Sequence, residues 1–253
     1  MHPLKRNFFI LLFAGIVLAA QPAALLATFY GQVQTGLQFI QENKKAGYFL
    51  YVPGSFSQER KWPLVLAFAE GGANGSNLKP YAEQWGGDAE KRGYVVLCPA
   101  WWNFRDSVPE QGDQMVFKIL DKVIRDYPID KSRILVTGFG DGADYAFYLA
   151  LRYPDRFSAA APVGGGITHV YENVISFRKV EGKPLAFWVL NGKQDVGLQD
   201  RQMTLEDVKQ SVEKLRSSGL QVDYKEIAGL GHEYRKNFNK SILDWFEGIK
   251  GKP

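Results

Sequence analysis

Residues 133–146 read RILVTGFGDGADYA, and this stretch decides the fold. It begins as a short apolar run with Ile and Val, a pattern that is typical of a buried strand. Glycines follow at positions 138, 140 and 142, and a helical pattern starts within them. The sequence therefore predicts a strand, a sharp glycine turn and a helix in direct succession.

This succession is the setting of a nucleophile elbow, in which the motif Gly-x-Ser-x-Gly presents a serine beyond the end of a strand. Gly138 and Gly142 hold the two outer positions, and Gly140 stands in the serine position. An elbow residue has a sparsely allowed backbone conformation, which costs about 1–3 kcal/mol for most residues and which glycine adopts without a Cβ clash. The chain thus has the frame of a serine hydrolase site without its nucleophile.

Strands and helices are predicted to alternate along the rest of the chain. The predicted strands are residues 47–52, 63–68, 93–99, 157–163, 184–190 and 222–227, and the predicted helices are residues 78–92, 111–127, 141–153, 171–179, 203–217 and 238–249. Residues 30–43 are predicted to be helical or irregular. Such alternation favours a mainly parallel sheet with helices on both faces. The continuously apolar run 63–68 indicates a central strand, and the alternating run 222–227 indicates an outer one.

Two further strand ends carry side chains suited to catalysis. Asp195 follows the predicted strand 184–190, and His232 follows the predicted strand 222–227. Ligands of such sheets bind beyond the carboxyl ends of the strands. Elbow, carboxylate and imidazole also come in the chain order nucleophile, acid, base. In a triad, His232 would carry protons, and Asp195 would fix its tautomer and stabilise its cation.

Four segments together resemble the secreted carboxylesterases of the polyhydroxybutyrate-depolymerase, feruloyl-esterase and phospholipase/carboxylesterase group. They are residues 63–77, 136–143, 190–195 and 229–234, and the resemblance extends over about residues 46–246. It implies an α/β-hydrolase fold and hydrolysis of short acyl, aryl or polymeric esters. It also implies that Asp195 and His232 are the acid and the base, and that Gly140 occupies the place of the serine.

A second departure from this family lies after the predicted strand 63–68. The family tends to have His-Gly-Gly-Gly there, and this chain has Ala69-Glu70-Gly71-Gly72. The loop, here Glu70 and Gly71, supplies one backbone N–H of the oxyanion hole, and the residue after the nucleophile, here Asp141, supplies the other. A carboxylate at Glu70 would oppose the developing oxyanion, whose stabilisation is usually the largest catalytic contribution. Both departures therefore predict weak or absent ester hydrolysis.

Other interpretations of the same residues remain open at this stage. Asp141 would act as a nucleophile from the position after the one that the serine normally holds. The alternative is that its negative charge is there because the dipole at a helix N-terminus favours it. Glu70 and His232 would activate a water molecule as a pair. The spacing of Gly138, Gly140 and Ala143 also satisfies a dinucleotide-binding fingerprint. Finally, Gly140 would be an artificial replacement of a serine, made to trap a substrate.

Trp101 and Trp102 follow the predicted strand 93–99 on the side of the site. Aromatic side chains there would form the floor of a pocket for an aromatic or sugar ring, and packing within the loop is the alternative. Only three histidines and one cysteine, Cys98, occur in the chain. The sequence therefore predicts no transition-metal site, no cofactor and no internal disulfide.

Residues 1–27 have the pattern of a signal peptide. Lys5 and Arg6 precede the apolar run 8–20, and small residues follow. Residues 28–253 are then predicted to form a single α/β-hydrolase domain in the periplasm or outside the cell, without a membrane span; an uncleaved N-terminal anchor is the alternative. The net charge of +4 is too small to indicate a nucleic-acid partner. The expected partner is a small or polymeric ester or carbohydrate.

Overall fold

The computed structural model describes residues 31, 33–41, 44–71, 78–101, 109–172, 175 and 185–249. Eight strands are present among them: β1 (Val33–Gln41), β2 (Lys44–Tyr51), β3 (Trp62–Phe68), β4 (Val95–Pro99), β5 (Ile129–Phe139), β6 (Ala159–Val163), β7 (Ala186–Gly192) and β8 (Gln221–Ile227). The helices are α1 (Leu78–Arg92), α2 (Pro109–Asp126), α3 (Asp141–Arg152), α4 (His169–Glu172), α5 (Gly197–Asp200), α6 (Leu205–Ser217) and α7 (Asn237–Gly248), with a 3₁₀ turn at Pro154–Arg156.

The strands form one sheet in the order β1-β2-β4-β3-β5-β6-β7-β8. Strands β3 to β8 pair in parallel, whereas β2 pairs antiparallel with both β1 and β4. Two clusters of buried apolar side chains, one on each face of the sheet, form the core under the helices. The predicted, mainly parallel sheet with helices on both faces is confirmed.

The position of each strand in the sheet follows its hydrophobic pattern. All seven residues of β3 are buried, as expected of a strand with neighbours on both sides and helices on both faces. Strand β8, by contrast, lies at the edge of the sheet, and its side chains alternate between exposed and half-buried. The central and outer positions predicted for these two strands are both confirmed.

Two predictions of local structure are wrong or incomplete. The prediction of a helical or irregular lead over residues 30–43 is wrong for Val33–Gln41, which forms β1. Val33, Thr35, Leu37 and Phe39 alternate along this segment, and a period of two is the strand period. The helix predicted at residues 171–179 is the short helix α4 (His169–Glu172), and residues 173–174 and 176–184 lie outside the described part of the chain.

The predicted signal peptide, residues 1–27, also lies outside the described part of the chain. Within residues 31–249, as far as the structure describes them, no helix combines the length and the apolar character needed to cross a bilayer.

The turn between β5 and α3 has the geometry of an elbow. Gly140 has φ 58° and ψ −124°, a left-handed conformation that strains residues with a Cβ atom. A Cβ atom on Gly138 would lie 2.1 Å from the Gly142 carbonyl oxygen, and one on Gly142 would lie 2.3 Å from the Phe68 carbonyl oxygen. The three glycines therefore allow the strand to turn sharply into the helix and the helix to pack directly on β3.

Helix α3 is fixed on its other side by a buried carboxylate of α2. Asp113 accepts hydrogen bonds from the hydroxyl groups of Tyr145 (2.9 Å), Tyr148 (2.6 Å) and Tyr153 (2.7 Å). Burial raises the pKa of Asp113, and the three hydroxyl donors partly offset that rise. These bonds hold the helix whose N-terminus begins at the elbow.

Candidate active site

Parallel strands bring the loops that follow β3, β5, β7 and β8 to one edge of the sheet. The loops after β7 and β8 are joined by backbone hydrogen bonds, from Lys193 N to Ile227 O (3.0 Å) and from Gln194 N to Leu230 O (3.0 Å). A Cβ atom on Gly192 would lie 2.2 Å from the Leu230 carbonyl oxygen. Glycine at this position therefore permits the close approach that brings the loop of Asp195 against the loop of His232.

The imidazole of His232 lies between two carboxylates. Its Nδ1 atom is 2.7 Å from Asp195 Oδ1, and its Nε2 atom is 2.5 Å from Glu70 Oε1. The Asp195 side chain is almost fully buried, with 1% of its surface exposed, and its Oδ1 also accepts a hydrogen bond from Gly197 N (2.9 Å). The Glu70 side chain is 38% exposed. The three side chains thus form a continuous row from the interior to the surface.

The imidazole ring is also held from both faces. The ring of Phe139 stacks on it with 4.7 Å between centroids and 25° between planes. On the other side, a Cβ atom on Gly197 would lie 2.4 Å from His232 Cγ. Only a residue without a side chain fits at position 197, so the first residue of α5 helps to fix the orientation of the ring.

The carboxylate of Glu70 lies where a side chain of residue 140 would lie. A Cβ atom built on Gly140 would be 2.4 Å from Glu70 Oε1 and 2.9 Å from Glu70 Cδ. The register of β3 and β5 pairs Phe68 with Gly138, which brings residues 70 and 140 next to each other. Glu70 therefore presents an oxygen to His232 from the position in which an elbow serine would present its hydroxyl group.

The two carboxylates change the protonation of the imidazole. The hydrogen bond to Asp195 is the largest cause, followed by that to Glu70, and together they raise the pKa of His232 to about 9 despite the opposing effect of burial. At neutral pH the ring is then an imidazolium that donates from both nitrogens. Such a ring can donate a proton but has no free lone pair with which to accept one.

A buried ion pair supports the site from behind. Arg201 Nε lies 2.9 Å from Asp144 Oδ2, and both side chains are 5% exposed. Arg201 also donates to the Gly164 carbonyl oxygen (2.5 Å), and Asp144 Oδ1 accepts from Gly166 N (2.8 Å). The pair joins the end of α5 to α3 and to the glycine loop after β6. It holds together three of the segments that surround the imidazole.

A cavity of about 390 Å³ opens at this edge of the sheet. It is lined by Glu70, Asp141, Gly197, Asp200, Arg201 and His232. Its size is at the lower end of the range of small-molecule sites. Because carboxylates, a guanidinium and an imidazolium dominate the lining, the cavity suits a ligand with polar groups.

The residues predicted from sequence are only partly gathered in this site. Asp195, His232, Gly140, Glu70 and Asp141 all contribute to it, as described above. Gly71, with φ 83°, follows Glu70. Trp102 lies outside the described residues.

The pocket role predicted for Trp101 needs correction. Its indole is fully buried, donates from Nε1 to the Ala69 carbonyl oxygen (2.9 Å) and stacks on Tyr145 with 5.0 Å between ring centroids. An indole covered in this way packs in the core and offers no face to a ligand.

The geometry also bears on the open alternatives. Glu70 and His232 do form a pair, but 2.5 Å between Oε1 and Nε2 leaves no room for a water molecule between those atoms. Because Asp195 and Glu70 engage both ring nitrogens of His232, neither nitrogen is available to activate Asp141 as a nucleophile. For a dinucleotide, Glu70 and Asp141 would place negative charge near the pyrophosphate at the helix N-terminus, which argues against that interpretation.

Some residues of the site were not singled out from the sequence. Phe139, Gly197, Asp200, Arg201 and Asp144 were not recognised as parts of it. Only Phe139 had a signal, since it lies within the elbow motif. The others depend on how α5 folds back over the imidazole, which no local pattern indicates.

Known proteins with similar sequences are esterases and depolymerases. The chain is 37% identical over 70 residues to poly(3-hydroxyalkanoate) depolymerase C of Paucimonas lemoignei, a match that covers 27% of this chain and 17% of that protein. It is 24% identical over 147 residues to acetylxylan esterase A of Emericella nidulans, covering 53% of this chain and 47% of the esterase. The chain thus matches less than half the length of either relative. No protein-family model matches the chain.

Similar solved structures extend over more of the chain. A thermostable esterase superposes with a TM-score of 0.66 at 23% identity, covering 85% of this chain and 62% of that one. A ferulic acid esterase from Anaeromyces mucronatus superposes with a TM-score of 0.62 at 17% identity, covering 87% of this chain and 92% of the esterase. The chain therefore has the α/β-hydrolase fold, as predicted.

Proposed function

We propose that this protein is an esterase-like α/β-hydrolase homologue that has lost serine-dependent ester hydrolysis and binds a small polar ligand in the 390 Å³ cavity. The observation that carries the proposal is the carboxylate of Glu70, which lies 2.4 Å from the position of a Cβ atom on Gly140 and 2.5 Å from His232 Nε2. Glu70 therefore occupies the space that a serine side chain at position 140 would need, and it makes the hydrogen bond to His232 Nε2 that the serine hydroxyl group would make. In a subtilisin, loss of the nucleophile costs roughly 10⁶ in rate.

The charge of the imidazole supports the same proposal. A serine hydrolase needs a neutral histidine that takes the hydroxyl proton. With the pKa of His232 at about 9, roughly one ring in a hundred is neutral at pH 7. General-base catalysis would be reduced accordingly, even with a hydroxyl group in place.

The two unusual residues also fit each other. Replacing only a serine by glycine would leave an empty position beside His232, whereas here the side chain of Glu70 fills it. This complementarity favours a site that has changed as a whole over a single artificial substitution at Gly140.

The ligand that fits best is an ester or a carbohydrate. Carboxylates accept hydrogen bonds from hydroxyl groups, and Glu70, Asp141 and Asp200 line the cavity together with the cationic Arg201 and His232. The names of the relatives point to acetylated xylan and to a polyhydroxyalkanoate as their substrates. A nucleic-acid partner is not part of the proposal. Residues 1–27 add export to the periplasm or cell exterior, and residues 28–253 would form one domain.

Hydrolysis without serine is a second candidate function. It is favoured by one observation, the direct contact between Glu70 and His232 at the cavity wall.

Two measurements on the purified protein test the first proposal. We expect p-nitrophenyl acetate to be hydrolysed no faster by the protein than by His232→Ala. We also expect acetylated xylo-oligosaccharides to raise the melting temperature, because a ligand that binds only the folded state stabilises it. Glu70→Gln should weaken this effect. Glu233→Gln, which changes a surface carboxylate paired with Arg235, should leave it unchanged. Hydrolysis at about 1 s⁻¹ or more, a rate typical of enzymes, that disappears in His232→Ala would refute the proposal.

A further inference from the structure

Glu70 has the features of a reactive carboxylate. Its Oε1 atom is held by His232 Nε2, its side chain is 38% exposed, and it lines the cavity. Carboxylates form covalent intermediates in several enzyme classes, provided that they lie next to the electrophile and to a group that acts as a general acid and base. His232 is such a group, and Asp195 fixes its orientation from the opposite side.

The chemistry of a carboxylate limits the electrophile that it can attack. Attack on an ordinary ester carbonyl gives an intermediate that expels the carboxylate, because a carboxylate is a much weaker base than an alkoxide. Attack on a saturated carbon has no such return path, since it forms a stable alkyl ester. The leaving group must also be able to take up a proton, because His232 Nε2 carries one. An epoxide meets both requirements, since its ring carbon is saturated and its ring oxygen can be protonated as it leaves.

We propose that Glu70 is a covalent nucleophile toward epoxides, with His232 as its acid and base. A Glu70 carboxylate oxygen bonds to one ring carbon, the carbon–oxygen bond of the ring breaks, and the released oxygen takes the proton from His232 Nε2. The products of this step are a hydroxyalkyl ester of Glu70 and a neutral imidazole. This inference rests on the proposed function only in that no serine reacts at the elbow.

The second step follows from the change in charge. Once Glu70 is an ester, its negative charge beside the ring is gone, while Asp195 still holds Nδ1. The neutral imidazole can therefore accept a proton from water, whose hydroxide adds to the ester carbonyl. The diol leaves with the proton of the added hydroxyl group, and Glu70 is again a carboxylate beside an imidazolium. The net reaction is addition of one water molecule to one epoxide.

Labelled water distinguishes this route from direct attack of water. The protein, in excess over phenyl glycidyl ether, is incubated in water labelled with the heavy oxygen isotope. The oxygen that enters the diol should come from Glu70, so the label should appear in the peptide that contains Glu70 and not in the diol. Glu233 serves as the internal control, because it is a surface carboxylate close to the site in sequence, and it should remain unlabelled.

Variants provide the independent measurement. Glu70→Gln keeps the shape of the side chain and should lower diol formation by at least about 10²-fold, whereas Glu233→Gln should match the unaltered protein. Three results would overturn the inference. The label could appear in the diol, it could be spread over surface carboxylates, or Glu70→Gln could leave diol formation unreduced. Hydrolysis of p-nitrophenyl acetate would instead refute the proposed function, so the two failures are distinguishable.

Discussion

Glu70 and Gly140 are complementary in space: Glu70 Oε1 lies 2.4 Å from the point that a Cβ atom on Gly140 would occupy. A side chain at position 140 therefore requires the carboxylate to move. The same carboxylate binds His232 Nε2, the atom to which an elbow serine would donate. Two separate departures from the esterase pattern, one in each loop, thus form a single structural change.

The first prediction concerns the protonation of His232. Its pKa, raised to about 9 from an ordinary value of 6.5, should fall in Asp195→Asn and, by a smaller amount, in Glu70→Gln, because Asp195 is the larger cause. Titration of the imidazole signals by NMR measures both shifts. A pKa near 6.5 in the unaltered protein would show that the row of three side chains is not formed in solution.

The raised pKa also makes stability depend on pH. Because the folded state binds the proton more tightly than the unfolded state, the stabilisation is complete below pH 6.5 and is lost as the pH rises toward 9. The free energy of unfolding, measured with urea, should therefore decrease over this range. His232→Gln should decrease less over the same range. Parallel curves for the two proteins would contradict the expectation.

The close packing of α5 on the imidazole gives a third prediction. Gly197→Ala places a Cβ atom 2.4 Å from His232 Cγ, so the ring must move away from Asp195 and its pKa should fall toward 6.5. Gly231→Ala is the matched control, because the nearest atom to its new Cβ is 3.8 Å away. NMR titration of both variants makes the comparison. An unchanged pKa in Gly197→Ala would mean that the turn does not hold the ring.

The buried pair of Arg201 and Asp144 should contribute strongly to folding. Removing Asp144 leaves the buried charge of Arg201 with the longer contact to Asp141 at 4.0 Å, and we expect Asp144→Ala to lower the free energy of unfolding by about 3 kcal/mol. Lys122 forms a more exposed pair with Asp126 on α2, and Lys122→Ala should cost less than about 1 kcal/mol. Urea denaturation measures both. Equal effects would show that the Arg201 pair is not buried in solution.

The sequence was sufficient for most of the fold because the strands are strongly patterned. The apolar run in β3 admits few conformations and predicts the central strand of the sheet. The glycines of the elbow are similarly restrictive and predict the sharp turn. Strand β1 was missed although Val33, Thr35, Leu37 and Phe39 alternate. Its pairing with β2 depends on a contact that lies outside the segment itself.

The site was predictable only where it follows from strand ends. Asp195 and His232 could be expected at one edge of the sheet, since parallel strands bring their carboxyl ends together. The placement of Glu70 was not predictable, because it depends on the direction of a long side chain relative to a bare backbone at Gly140. The burial of Trp101 likewise depends on its stacking with Tyr145, a contact between distant elements.

The most direct test of the account compares Gly140→Ser with the double variant Glu70→Gly/Gly140→Ser in the hydrolysis of p-nitrophenyl acetate. In the single variant, the carboxylate of Glu70 must shift but stays next to His232, where it competes with the new hydroxyl group for Nε2, so the rate should stay at background. Removing the carboxylate as well should free the base and raise the rate by at least about 10²-fold, while Glu70→Gly alone stays at background. Equal rates for the single and double variants would contradict the claim that Glu70 has taken the place of the nucleophile.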